Sequence, residues 1–111
     1  MLKTSRLNIE YAIMQETWPS FEFWRQGDEF GFQGRVRVNG KIYEMVITGL
    51  ASRYPFEEPK VYLDPHPEGH HWIRDGGAPY LCYQRNNAWQ PSRSTFASCA
   101  AVAIKYLKEF G

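Results

Sequence analysis

The sequence predicts an α+β fold with an N-terminal helix, a four-stranded antiparallel meander, a structured loop and a long C-terminal helix. Three observations predict it: helical spacing of apolar residues near both ends, alternation of apolar and polar residues in the first half, and a proline- and glycine-rich stretch over residues 64–93. The chain has 111 residues, of which 43% are hydrophobic and 16% aromatic, so one folded domain over residues 1–111 is expected. Helices on one face of the sheet complete this architecture.

The first helix is predicted over residues 3–14, because apolar side chains recur there at helical spacing. Trp18-Pro19 ends the pattern, since the residue before a proline is pushed out of the helical region. The expected buried face consists of three residues with two more beside them: Leu7, Tyr11 and Met14, with Ile9 and Ile13.

Strands are predicted where apolar and polar residues alternate, with aromatic residues in the apolar positions. Gly27-Asp28 predicts a turn, and Asn39-Gly40 predicts a two-residue hairpin, because both turn positions require positive φ. A proline-punctuated turn precedes the last strand. The four predicted strands are residues 20–26, 29–38, 41–48 and 60–63.

Residues 64–93 contain too many prolines and glycines for long regular elements. Because the stretch is also rich in Trp, Tyr and His, a packed loop is expected, and long loops of this kind are commonly functional. Residues 94–110 predict a helix, with Ser94 as its N-cap and Gly111 beyond its end. Its expected buried stripe is Phe96, Ala100, Ala103 or Ile104, and Leu107.

Charge and composition exclude several classes of protein. The net charge is +1 and no stripe of Lys and Arg occurs, so neither nucleic-acid binding nor binding to an anionic membrane is predicted. We find no membrane-spanning apolar run and no signal peptide, and therefore expect a cytoplasmic protein. Cys82 and Cys99 do not form a disulfide pattern, and Cys99 is expected to be a buried structural residue.

Three short motifs resemble segments of ubiquitin-conjugating enzymes. Residues 54–61, Tyr-Pro-Phe-Glu-Glu-Pro-Lys-Val, resemble the family's Tyr-Pro-Phe-x-x-Pro-x-Val segment between the third and fourth strands. Residues 80–83, Tyr-Leu-Cys-Tyr, resemble the segment that holds the catalytic cysteine. Residues 89–91, Trp-Gln-Pro, resemble the Trp-Ser-Pro that precedes the long helix. The motifs occur in the family's order, and the resemblance spans roughly residues 5–110.

The resemblance implies a truncated ubiquitin-conjugating fold with Cys82 as the nucleophile. A thiolate can attack one thioester and then leave in the next step, which oxygen nucleophiles do poorly. The resemblance also implies an activating-enzyme-like partner, a carried ubiquitin-like protein and no cofactor. The alternative interpretation is that Cys82 merely fills the core.

The chain departs from eukaryotic members of this family in two ways. It lacks the Asn of their His-Pro-Asn motif, and they continue with two further helices. Short forms resemble bacterial conjugating enzymes, some of which stand in CBASS antiphage operons beside a cyclic-oligonucleotide synthase. The resemblance therefore implies that Cys82 carries a ubiquitin-like protein, or the C-terminus of that nucleotide cyclase, and passes it to an amine.

Other residues are candidates for assisting Cys82. His71 lies near the place of the missing motif and is expected to lower the thiol pKa, accept a proton or stabilise the oxyanion. His70, Asn86 and Asn87 are further candidates for pKa or oxyanion support. The alternative is that both histidines bond loop carbonyls and both asparagines occupy turns. Structural support of the site is expected from Trp89, Pro91, Tyr54 and Pro55.

Four alternative functions follow from the same residues. The first is a zinc site: residues 64–82 contain several possible zinc ligands, but these lack the paired spacing of zinc motifs, so no metal is expected. The second is a cysteine protease, which is disfavoured because no strand-to-helix elbow is predicted at Cys82. A non-catalytic module of the same fold, binding a ubiquitin-like protein or a partner subunit, is favoured by the missing Asn and opposed by Cys82. An interaction subunit would expose tryptophans, for which the candidates are Trp18, Trp24 and Trp72.

Overall fold

The structure, a computed structural model, describes residues 4–65, 72–73, 80–81 and 89–110. It contains two helices and six strands in this part of the chain. In chain order the elements are α1 (Thr4–Thr17), β1 (Glu22–Gln26), β2 (Glu29–Val38), β3 (Lys41–Leu50), β4 (Lys60–Asp64), β5 (Trp72–Ile73), β6 (Tyr80–Leu81) and α2 (Phe96–Phe110).

Strands β1 to β4 form one antiparallel sheet in the order of the sequence. The predicted α+β order and four-stranded meander are therefore confirmed, and β3 continues two residues beyond its predicted end at residue 48. Strands β5 and β6 form a separate antiparallel pair inside the stretch for which a structured loop was expected. Alternation could not predict these strands, because each has only two residues.

The β2–β3 hairpin is the longest pairing in the sheet. It runs without a break from Glu29 opposite Leu50 to Val38 opposite Lys41. Asn39 and Gly40 have φ of 53° and 78°, the left-handed values that a type I′ turn requires. The hairpin predicted from this dipeptide is confirmed.

One face of the sheet carries the core. Phe30 and Phe32 of β2 are buried on this face together with apolar residues of β3 and β4. Helix α2 packs against them, and its predicted stripe is confirmed, with Ile104 partly buried at its side. The buried residues of the stripe are Phe96, Ala100, Ala103 and Leu107.

The connection between α1 and the sheet is held by aromatic residues. The ring of Phe21 packs directly on Gly34, where a Cβ atom would lie only 2.7 Å from the ring. Trp18 follows the last turn of α1, and its indole N–H donates to the carbonyl of Ala97 in α2 at 3.2 Å. The predicted strand over residues 20–26 is two residues shorter, because Phe21 already belongs to this connection.

The predicted buried face of α1 is wrong in part. Ile9 and Tyr11 are 53% and 45% exposed, whereas Met14 is fully buried as expected. Beside Met14, the buried residue of the helix is the charged Glu10. Leu7 and Ile13 are partly buried against the core, so apolar spacing identified the docking face only in part and missed Glu10. It ends before Trp18-Pro19, as predicted.

Trp18 and Trp24, two of the three tryptophans that an interaction subunit would expose, are only partly accessible. The side chain of the third, Trp72, lies outside the described residues. In the described part of the chain, neither helix combines the length and the apolar character needed to cross a membrane.

Candidate functional site

The residues predicted to carry the chemistry lie outside the described residues. These are Cys82, His70, His71, Asn86 and Asn87. The four residues predicted to support the site are described, and the structure brings them close together. They are Tyr54, Pro55, Trp89 and Pro91.

Trp89 joins the two sequence segments that flank the predicted catalytic region. Its indole N–H donates to the carbonyl of Pro55 at 2.8 Å, across 34 residues of sequence. Its ring packs on Tyr54 with a centroid distance of 5.8 Å. The peptide bond between Tyr54 and Pro55 is cis. The first and third motifs therefore meet in space through a hydrogen bond and a ring contact.

Tyr54 anchors this contact in the core. The side chain is fully buried, and its ring contacts Phe30 at 5.5 Å and Phe96 at 5.0 Å between centroids. Its hydroxyl donates to the Glu10 carboxylate of α1. Burial, together with the nearby Glu10 charge, raises the pKa of the Tyr54 hydroxyl well above its usual range. The hydroxyl therefore stays protonated and remains a donor at any physiological pH.

Glu10 is the centre of a buried polar network that sequence analysis missed. Its carboxylate accepts hydrogen bonds from Arg6 Nε at 3.0 Å and from the backbone N–H of Phe96 at 2.9 Å, in addition to that of Tyr54. Phe96 is the first residue of α2, so a negative charge caps the positive end of that helix. A buried charge is tolerated only when it is paired and hydrogen-bonded, and here both conditions hold.

Arg6 extends the network to the residues after the predicted catalytic region. Its guanidinium donates to the carbonyls of Pro91 at 2.9 Å and Ser94 at 2.8 Å, and to the Tyr54 hydroxyl at 3.0 Å. Burial lowers the pKa of Arg6, but the bonds and charges of Tyr54 and Glu10 outweigh this effect, so the net pKa is raised. A permanently charged Arg6 therefore ties α1 to residues 91–94.

One sequence signal could have found this network. Glu10 lies four residues after Arg6 and four residues before Met14, on a single helical face. An acidic residue in line with a basic residue and a core methionine indicates a buried ion pair. Apolar spacing alone does not include Glu10 and therefore does not predict the network.

The start of α2 differs from the prediction, because the helix begins at Phe96, two residues after its predicted start at residue 94. Thr95 is the N-cap: its hydroxyl accepts from the backbone N–H of Ser98 at 3.1 Å, and the Ser98 hydroxyl accepts from the N–H of Thr95 at 2.8 Å. Ser94, the predicted cap, instead accepts the backbone N–H of Gln90 at 2.9 Å. The predicted N-cap is thus wrong by one position, because both Ser94 and Thr95 carry a suitable hydroxyl.

Glu58 is a second glutamate that sequence analysis passed over. It lies between Pro55 and β4, in the segment that receives the Trp89 hydrogen bond. Burial raises the pKa of its carboxyl to about 7. Its Oε2 atom is buried and has no hydrogen-bond partner among the described residues. A carboxyl group with this pKa exchanges protons at neutral pH.

Cys99 behaves as expected from the sequence. It is 2% exposed on the core side of α2. Among the described residues, no three His, Cys, Asp or Glu side chains come together as a group that could hold a metal ion. Comparisons with protein-family models, with curated proteins and with solved structures gave no match.

Proposed function

We propose that this chain is a ubiquitin-conjugating-type enzyme that carries a protein as a thioester on Cys82 and transfers it to an amine. The carried protein is a ubiquitin-like protein or the C-terminus of a nucleotide cyclase, delivered by an activating-enzyme-like partner. The setting implied by the resemblance is bacterial antiphage defence.

One observation supports the proposal most strongly. Trp89 of the third motif lies 34 residues after Pro55 of the first motif, yet its indole N–H donates to the carbonyl of Pro55 and its ring packs on Tyr54. The two motifs therefore lie together in the folded chain. Their contact supports a common role for residues 54–61 and 89–91 on either side of the Cys82 segment.

The architecture provides further support. A helix, a four-stranded antiparallel meander and a closing helix follow in the order that the resemblance implies. Arg6 and Glu10 connect both flanking segments to the two helices. Such an anchored frame suits a nucleophile that must keep one position while two large proteins exchange on it.

The proposed chemistry has two steps. The Cys82 thiolate attacks the thioester carbonyl of the donor, a new C–S bond forms, and the donor's thiolate leaves. A lysine or another amine then attacks the same carbonyl carbon, a C–N bond forms, and the Cys82 thiolate leaves. The amine loses one proton in this step, and His71 is the proposed acceptor.

A thioester probe tests the assignment of Cys82. The intact chain is incubated with a peptide that ends in a glycine thioester of mercaptoethanesulfonate, and the product is examined by mass spectrometry. We expect one adduct that added thiol removes. Cys82→Ala should abolish it, and Cys82→Ser should give at most a thiol-resistant ester.

Cys99→Ala provides the matched control, since Cys99 is buried and should leave the adduct unchanged. An adduct that survives Cys82→Ala and disappears in Cys99→Ala would overturn the assignment. A Cys82 as inert as Cys99 towards both the thioester and iodoacetamide would favour the non-catalytic module that binds a ubiquitin-like protein.

A further inference from the structure

Strand β2 is longer than the strand that pairs with its outer side. β3 pairs with β2 along its whole length, but β1 pairs only with Glu29–Gln33. In the described part of the chain no strand pairs with the outer side of residues 34–38. We call these residues the β2 edge. An unpaired edge presents backbone donors and acceptors to any strand that can reach it.

The described chain before β1 forms no strand pair with the β2 edge, since the β1–β2 pairing ends at Glu22 opposite Gln33. The backbone N–H of Phe21 donates to the carbonyl of Trp18, and the Phe21 ring packs on the first edge residue, Gly34. Beyond it, Arg35 and Arg37 are exposed and Val36 is partly buried. At the β2 edge the side chains of Arg35 and Arg37 are therefore accessible, whereas Val38 at its end is buried.

The hairpin turn determines which backbone groups face outward. A two-residue type I′ turn closes on a hydrogen-bonded pair, which here is Val38 with Lys41. Successive residues of a strand direct their backbone groups to opposite sides, and the β2–β3 register is unbroken. The N–H and C=O groups of Arg35 and Arg37 therefore point away from β3, towards the open side.

The side chains at the β2 edge have a distinct pattern. Arg35 and Arg37 lie on the sheet face opposite the core, and Val36 lies between them on the core face. Arg35 pairs with Glu44 of β3 at 3.2 Å. Arg37 lies opposite Ile42 and forms no ion pair within the described residues. An added strand would meet an uncompensated positive charge at Arg37 and an apolar surface at Val36.

A cavity beside the edge determines which kind of side chain fits opposite Arg35. It has a volume of about 440 Å³, and its lining includes Arg35, Glu44 and Glu22, together with Ser20 from the connection before β1. Because two acidic groups share this cavity with Arg35, an acidic side chain gains little there. An uncharged polar side chain fits opposite Arg35, and an acidic one fits opposite Arg37.

A second copy of this chain is not the occupant that the edge favours. When two β2 edges pair in antiparallel fashion to form one continuous sheet, the core faces of both copies lie on the same side of that sheet. Every such register that overlaps residues 35–37 sets an arginine opposite an arginine of the other copy. Like charges directly opposite destabilise a strand pair, so self-association through this edge is disfavoured.

We propose that the β2 edge binds an extended acidic segment of another protein by antiparallel strand addition. The bound segment places an acidic side chain opposite Arg37, an apolar one opposite Val36 and an uncharged polar one opposite Arg35. Backbone hydrogen bonds at Arg35 and Arg37 supply affinity, and the alternating side chains supply selectivity. This proposal does not depend on Cys82 and stands whether or not the chain is an enzyme.

The proposal is tested by titrating the ¹⁵N-labelled full chain with the peptide acetyl-Val-Glu-Val-Thr-Gly-amide at millimolar concentration. We expect saturable amide shifts confined to the β2 edge and its neighbours. The same peptide N-methylated at Glu and Thr should cause no such shifts, because it lacks the two donors that face β2. Shifts located elsewhere, or equal binding of the N-methylated peptide, would overturn the proposal.

Charge reversal sharpens the test. Arg37→Glu should weaken binding of the peptide about fivefold or more, and a peptide with Lys in place of Glu should restore it. Arg93→Glu, at another exposed arginine, is the matched control and should change nothing. Unchanged binding by the Arg37→Glu chain contradicts the proposal. A dimer seen by sedimentation, with no response to the peptide, would assign the edge to a second copy instead.

Discussion

Helices α1 and α2 are nearly equal in length, 14 and 15 residues, but they attach to the rest of the protein by different chemistry. Helix α2 buries an apolar stripe against the sheet. Helix α1 buries Met14 and the charged Glu10, whose carboxylate is held by Arg6, Tyr54 and the first N–H of α2. Apolar spacing is therefore a good guide to a helix that packs on a sheet, and an incomplete guide to one that docks partly through a polar network.

The largest loss of stability is expected when the attachment of α1 is broken. Glu10→Ala should lower the free energy of unfolding by about 4 kcal/mol, because Arg6, Tyr54 and the N–H of Phe96 all lose a buried partner. Chemical denaturation followed by circular dichroism measures this. Glu16→Ala, on the exposed side of the same helix, should change stability by less than about 0.5 kcal/mol. Equal losses in the two variants would show that the network is not what holds α1.

An intermediate effect tests the start of α2. Thr95→Ala should cost about 1 kcal/mol, because it removes the hydroxyl that accepts the N–H of Ser98. Ser94→Ala removes a hydroxyl that bonds outside the helix and should cost less. Thermal unfolding of the two variants measures the difference. A larger loss in Ser94→Ala would contradict the assignment of Thr95 as the N-cap.

The smallest expected effect concerns Glu58, a carboxyl that, unlike Glu10, has an oxygen without a partner among the described residues. Its pKa is raised from 4.5 to about 7, so the folded state holds a proton that the unfolded state releases between these values. Glu58 should therefore make stability fall as the pH rises from about 4.5 to about 7. The change should stay below about 1 kcal/mol, since solvent screens a partly buried group.

Denaturation of Glu58→Gln across this pH range measures the contribution. The variant should lose this part of the pH dependence, whereas Glu57→Gln, at the neighbouring exposed glutamate, should retain it. Identical pH profiles for Glu58→Gln and the unchanged chain would show that Glu58 does not hold the proton.

Much of the fold was predictable because its signals are local. Asn39-Gly40 needs only its own backbone conformation to specify the hairpin, and the alternation on both sides specifies its faces. The stripe of α2 was predictable for the same reason, since one periodicity and one apolar face describe it. The short β5–β6 pair was not, because a strand of two residues carries no period.

The frame around the candidate site was only partly predictable. The motifs indicated Tyr54 and Trp89, but the bond from Trp89 to Pro55 depends on folding across 34 residues. The role of Glu10 depends on partners 44 and 86 residues away, which no local pattern encodes. Long-range polar contacts of this kind are what sequence periodicity cannot show.

Contacts in this chain close loops of very different lengths, so we expect them to form at different stages of folding. The β2–β3 hairpin closes over a two-residue turn, and hairpins of this kind form in about 1–10 μs. The bond between Glu10 and Phe96 must close a loop across 86 residues, so we expect it to form after the hairpin. Interactions that form after the rate-limiting step act on the rate of unfolding. We therefore expect the Glu10 carboxylate to slow unfolding and to have little effect on the rate of folding.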